Sequence, residues 1–256
     1  MKKLFLILYL LISISCVCNR NNKIQLSHNK KDKFINYLND STVAVIKNNF
    51  SMCTGVWIKE DMFATAYHCI QYATASAEEK IILNIGGKIN EFQYIDRNIE
   101  FSIHRDFSFN EKSYKDYALK RKFSSGKVIA VNEKTDLALI HTKEFLLHNF
   151  AKFANNITKG ENVHIVGHTS SYLYSYTKGV VSYEKRFIKN DIDKYFPVVQ
   201  VMATSIYFGN SGGGLFNDKG ELMGICILFS PQESISFFSH IDSLKELLRT
   251  NNIVLN

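Results

Sequence analysis

Three short stretches of this sequence hold residues whose types could do chemistry together. Tyr207 to Phe216 reads YFGNSGGGLF, with Asn210 and Ser211 set among glycines. A phosphate-binding loop would carry Lys-Ser or Lys-Thr after the glycines and then a helix. Here Leu215 and Phe216 follow, and then a turn and a strand-like run. A flexible linker would not be hemmed in by apolar strands on both sides. The remaining use gives each residue work. Glycines permit unusual backbone dihedrals, successive N–H groups aim at one point and stabilise an oxyanion, and Ser211 supplies a hydroxyl.

A serine hydroxyl is a weak nucleophile until a base sits within hydrogen-bond reach and a third group orients that base. Among eight histidines, His68 in FATAYHCI follows a run of small residues that reads as a strand. His104, His141, His148, His164, His168 and His240 take structural or surface readings. In KTDLALIHT, Asp136 stands directly before an alternating apolar strand, which puts a carboxylate at the mouth of a buried element. Taken singly, Asp136 reads as an ordinary turn residue.

The elements that must position these groups are mostly strands. The chain of 256 residues has two prolines and many short β-branched or aromatic runs. They are Thr42–Ile46, Thr54–Ile58, Met62–Ala66, Ile81–Ile85, Lys127–Val131, Leu137–Ile140, Asn162–Val166, Gly179–Tyr183, Val198–Ala203 and Leu222–Phe229. Turn residues such as Asn217–Gly220 separate them, the pattern of a barrel or sandwich. One amphipathic helix is predicted over IDSLKELLRT, with Ile241, Leu244, Leu247 and Leu248 on one face and Asp242 in an acidic first turn. A short helix is also predicted around Lys33 to Leu38. Between about residues 75 and 126, aromatics alternate with Lys and Arg. That composition could grip single-stranded nucleic acid, but a long surface hairpin is the simpler account and no nucleic-acid partner is expected.

Apolar residues make up 46% and charged residues 21% of the chain, ordinary values for a globular protein. The net charge of +7 is scattered and reads as a solvated surface. The start, MKKLFLILYLLISISC, has two lysines, a short apolar run and small residues before Cys16. It is too short for a bilayer span, which needs about 20 residues, and it reads as a secretory signal over residues 1–15. LISISC also resembles a loose bacterial lipobox, in which Cys16 would be acylated and anchor the protein to a membrane. Residues 16–33 read as a polar tether. Export meets oxidant, so disulfides are allowed. Cys53 and Cys69 lie 16 positions apart around two strand-like runs. Cys226, inside LMGICILF, reads as a buried free thiol. No cysteine or histidine grouping has zinc spacing, and neither metal nor cofactor is expected.

In the segments TGVWIKEDMFATAYHCI, KVIAVNEKTDLALI and GNSGGGLFNDKGELMGIC, in this order, the chain resembles the chymotrypsin-fold serine proteases, most of all their bacterial HtrA-like branch. The strand GVVSY and the closing SHIDSLKELL are similar too. The resemblance implies an all-β fold of two six-stranded antiparallel barrels and a C-terminal helix. The protease domain would span 34–256, with barrels at about 34–142 and 143–256. It also implies that His68 is the general base, Asp136 orients it and Ser211 is the nucleophile. Gly209 and Ser211 would supply the oxyanion N–H groups. The Cys53–Cys69 spacing resembles a disulfide of animal-type trypsins, one that would fix the base in place.

Several positions depart from the family pattern. Gly214 replaces a usual proline. Tyr67 replaces a small residue before His68 and is expected to narrow the cleft. The segment between His68 and Asp136 is long, and no PDZ domain is expected. The resemblance places the P1 pocket around Thr204, Ser205 and Ile206 and around Cys226, Ile227 and Leu228. Trypsin-like enzymes carry Asp where Ser205 stands, and glutamyl endopeptidases carry His where Cys226 stands. A basic or acidic P1 residue would meet no counter-charge, so small or medium apolar P1 residues are expected. Protein or peptide substrates follow from this reading. A silent envelope protein that binds peptides or a partner in the same cleft is the alternative. Nothing in the sequence fixes an oligomeric state.

Overall fold

The computed structural model describes residues 30–47, 51–71, 98–102, 123–142, 149–169, 174–190, 194–203, 206–230 and 234–255. The expected signal, most of the expected tether, Cys16 and the strand expected over Ile81–Ile85 lie outside these residues. The chain divides into two compact units, Met1–Tyr37 and Leu38–Asn256. In the first, residues 30–37 are helical, and the helix (α1) runs over 30–40, longer at both ends than the predicted turn and a half.

The second unit opens with a closed barrel of six antiparallel strands in the order β1-β2-β3-β6-β5-β4. These are β1 (Thr42–Lys47), β2 (Ser51–Lys59), β3 (Met62–Ala66), β4 (Asn98–Ser102), β5 (Phe123–Asn132) and β6 (Leu137–His141). A four-residue helix, α2 (His68–Gln71), follows β3. Val43, Trp57, Phe63, Val128 and Ile140 fill the interior. The Trp57 and Phe63 rings meet edge to face at 5.2 Å, a contact worth about 1 kcal/mol beyond area burial. The segment expected to be a surface hairpin has a structural duty. Its strand β4 pairs with both β1 and β5 and so closes the barrel.

The second set is β8 (Asn162–Gly167), β9 (Ser175–Lys189), β10 (Tyr195–Ala203), β11 (Gly214–Phe216), β12 (Glu221–Ser230) and β13 (Ile235–His240). Because β11 pairs with β12 as well as β8, these strands also form a closed ring. Val163, Ile165, Val201, Leu215 and Phe238 form its core. A seventh, two-residue strand, β7 (Lys152–Phe153), runs parallel to β12 and is an addition to the expected antiparallel barrel. Ala66, Cys69, Phe196, Val198 and Ile227 pack where the two barrels meet.

The connector between barrels is stitched to both. Ala151 donates its N–H to Trp57 O in the first at 2.8 Å, and Ala154 donates to Leu222 O in the second at 2.9 Å. The Lys245 ammonium also reaches Ala154 O at 3.0 Å. The final helix, α3 (Ile241–Thr250), matches its predicted span and buries Ile241, Leu244, Leu247 and Leu248. Asp242 lies in its first turn, and the cap is His240, whose Nδ1 accepts the Asp242 N–H at 3.1 Å. Burial holds the His240 imidazole below its usual range, which suits an acceptor nitrogen.

Candidate active site

Strand register brings the histidine and the aspartate together. In the antiparallel β3–β6 pair, Ala66 faces Leu137. The residues leaving β3 and those entering β6 therefore emerge at the same end of the barrel. There His68 Nδ1 lies 2.6 Å from Asp136 Oδ2, while the His68 backbone N–H donates to Asp136 Oδ1 at 2.8 Å. Both side chains are part-exposed, at 34% and 22%. Asp136 has φ 53°, a left-handed conformation that Asp tolerates better than most residues. Its carbonyl accepts the Tyr67 N–H at 3.1 Å, and Thr135 N–H bonds Asn132 Oδ1 at 3.3 Å, so the turn is fixed on both sides.

Tyr67 corrects an expectation. It does not narrow a cleft: it is 4% exposed and belongs to the first-barrel core. Its hydroxyl donates to Glu133 Oε1 at 2.8 Å, a second tie between the His68 segment and the Asp136 turn.

The glycine-rich loop docks onto the first barrel. Ser211 O accepts the Thr54 N–H at 2.8 Å. It also lies 3.6 Å from Cys69 Sγ, which has no proton to give because Cys69 is bonded to Cys53. Gly212, with φ +84°, presses so closely on Thr54 O and Thr65 Oγ1 that a Cβ there would overlap both. Ser211 is thereby carried to the residue adjoining His68. Within the loop, Asn210 N–H bonds Tyr207 O, Gly213 N–H bonds Asn210 O, and Gly212 N–H bonds Cys226 O. The N–H groups of Gly209 and Ser211 donate to no described residue. Gly209 itself has φ 98°. Two N–H groups without an acceptor among the described residues thus lie in the loop of Ser211, which docks at the residue next to the His68–Asp136 pair.

Residues 53–225 match the family model of the trypsin-like peptidase domain. The chain belongs to the trypsin-like peptidase family. A probable periplasmic serine endoprotease, DegP-like, from Hahella chejuensis is 34% identical over 109 residues, 42% of this chain and 22% of that one. The serine protease Do-like HtrA of Lactobacillus helveticus is 32% identical over 108 residues, 41% of this chain and 26% of that one. The chain spans about a quarter or less of the length of the curated relatives it matches. Among solved structures, the Rv3671c protease of M. tuberculosis in an inactive form aligns with TM-score 0.61 at 16% identity, covering 85% of this chain and 91% of that one. Deg5 aligns with TM-score 0.60 at 20% identity, covering 86% and 92%. These two likenesses show the fold.

Within the trypsin-like domain, four of the six expected pocket residues lie among the described ones. Thr204 and Ser205 lie outside the described residues. Ile206 and Cys226 are buried in the second-barrel core. Burial pushes the Cys226 thiol up to about 12, and the Asp136 carboxylate adds to the effect. Ile227 packs between the barrels, and Leu228 is 52% exposed. Sequence reading passed over three aromatic rings. Tyr207 and Phe208, immediately before Gly209, meet each other and Phe229 of β12 at 5.3–5.5 Å. It also passed over Thr54, which touches the loop from behind and in turn contacts His168, a histidine given only a structural or surface reading; nothing in a strand threonine announces that contact. The other described histidines have structural partners: His141 with Asp61, and His164 with Tyr176 and Asp218. The His164 hydrogen bond holds the Asp218 carboxyl below its usual range. His104 and His148 lie outside the described residues.

Proposed function

We propose that the protein is an exported serine endopeptidase that works through an acyl-enzyme. The observation that carries this reading is the 2.6 Å contact of His68 Nδ1 with Asp136 Oδ2 beside the docked Ser211 loop. Ser211 Oγ attacks the scissile carbonyl carbon as its proton passes to His68 Nε2. The carbonyl π pair moves to oxygen, and the N–H groups of Gly209 and Ser211 hold that oxyanion. Collapse restores the carbonyl, breaks the C–N bond and returns the proton from His68 to the leaving amine. Water then repeats the sequence, with His68 as base, and frees the acid and Ser211. Asp136 keeps the imidazole oriented and offsets its charge while it is protonated.

Small or medium apolar P1 side chains fit this site best. Ser205 offers no counter-charge, Cys226 stays neutral, and the exposed rings of Tyr207 and Phe208 border the loop. Export is supported by the charged-then-apolar start of the chain and by the periplasmic relatives. Acylation at Cys16 would add a membrane anchor, and the mass of the mature N-terminus reads it directly. A fluorophosphonate probe tests the chemistry. Labelling of the folded protein that vanishes in Ser211→Ala is expected; a folded wild type that stays unlabelled points instead to a peptide-binding protein without turnover.

A further inference from the structure

We propose that His168 is a positioning residue that holds the oxyanion donors in place through Thr54. The inference rests on the serine-peptidase reading above and deepens it. In the β8–β11 pair, Val166 faces Gly214. The backbone leaving β8 therefore emerges beside the backbone that enters β11 from the Ser211 loop. Two consecutive residues of that exit grip the loop from behind.

The first grip passes through a threonine. Thr54 Oγ1 lies 2.7 Å from Gly209 O, 2.9 Å from His168 Nδ1 and 3.2 Å from His168 N. Gly209 O is a carbonyl and can only accept, so the single hydroxyl proton of Thr54 goes there. The two lone pairs of Thr54 Oγ1 then accept from the His168 backbone N–H and from Nδ1–H. This accounting fixes His168 as the Nδ1–H tautomer and fixes the direction of the chain from His168 to Thr54 to Gly209. His168 and Thr54 are both fully buried, so water does not compete for the bond between them, while the Thr54–Gly209 bond is part-buried.

The second grip is made by the next residue. Thr169 Oγ1 accepts from Asn210 Nδ2 at 2.6 Å. Asn210 also lies against Gly167, where a Cβ would come 3.0 Å from Asn210 Cγ and closer still to Oδ1. Gly209 O and the Asn210 side chain both belong to the two-peptide stretch that joins the donor N–H groups of Gly209 and Ser211. Fixing both leaves those donors little freedom to turn away. Glycine at 209, at φ 98°, has no side chain of its own to resist such a turn.

The test uses the full chain and the rate at which a fluorophosphonate labels Ser211, because the phosphonyl oxygen must enter the donor site. An Asn side-chain amide can place its N–H where His Nδ1 stood, whereas Gln reaches the position of Nε2. The comparison is therefore His168→Asn with His168→Gln, and Thr54→Ser with Thr54→Val. The maximal labelling rate is expected to fall about tenfold or more in His168→Gln and Thr54→Val, with the half-saturating probe concentration unchanged, and to recover to within about threefold in His168→Asn and Thr54→Ser. Thermal melts confirm which variants fold, and either pair alone decides the matter. Equal slowing within a pair, or His168→Gln as fast as wild type, overturns the positioning role while leaving the peptidase reading intact. A folded wild type that never labels overturns both.

Discussion

The backbone N–H of Thr54 donates to the carbonyl of Ser211 at 2.8 Å, so a strand of the first barrel carries the candidate nucleophile of the second. Gly212 makes this approach possible. Gly212→Ala puts a side chain at φ +84°, which costs about 1–2 kcal/mol by itself, and drives its Cβ into Thr54 O and Thr65 Oγ1. A loss of about 3 kcal/mol or more is expected in urea denaturation, with Ser211 labelling lost in whatever remains folded. A variant as stable and as reactive as wild type would show that the loop does not dock this way.

The Cys53–Cys69 bond closes a loop of 16 positions that contains β3 and His68. On the chain-entropy estimate, removing it in Cys53→Ala/Cys69→Ala lowers stability by about 3 kcal/mol. Thermal melts with and without a thiol reductant should show the same loss in reduced wild type and no further loss in the double variant. Unchanged melting of the wild type under reductant contradicts the expectation.

Much of this arrangement was legible in the sequence, for identifiable reasons. Short β-branched and aromatic runs marked nine of the thirteen strands among the described residues closely enough to place His68 after β3 and Asp136 before β6. The strands that escaped carry weak local signals. β7 has two residues, and β11 has three and begins with glycine. β13 reads ISFFSH, where adjacent phenylalanines blur the alternation. The misread Tyr67 shows a different limit. Whether a large residue beside a base fills a cleft or a core depends on where its side chain points, and only its packing in the folded barrel decided that.

Tyr67 and Glu133 should be energetically coupled. Their hydrogen bond spans the two segments that carry the base and its orienting acid. A double-mutant cycle with Tyr67→Phe and Glu133→Ala is expected to give a coupling of about 1 kcal/mol in stability. Additive losses would mean that the bond contributes nothing in solution.

The buried thiol of Cys226 sets the behaviour of the fold in base. Its value of about 12 lies above that of an exposed thiol, about 8.5. Across that interval the unfolded chain has released the proton and the folded chain keeps it. The folded state binds more protons there, so stability falls as pH rises, and below the interval this group contributes no slope. Urea denaturation at pH about 8 and about 10.5 should show a steeper decline for wild type than for Cys226→Ala. Equal declines would place the thiol in contact with water.

The doubly anchored connector has a mechanical consequence. A chain segment tied by Ala151 to one barrel and by Ala154 and β7 to the other cannot serve as a hinge. Along this segment the two barrels are thus held together rather than hinged. If the proposed peptidase reading holds, a folded client would have to present an already extended stretch of its own backbone, and its own local unravelling, rather than closure of this protein around it, would govern how fast it is cut.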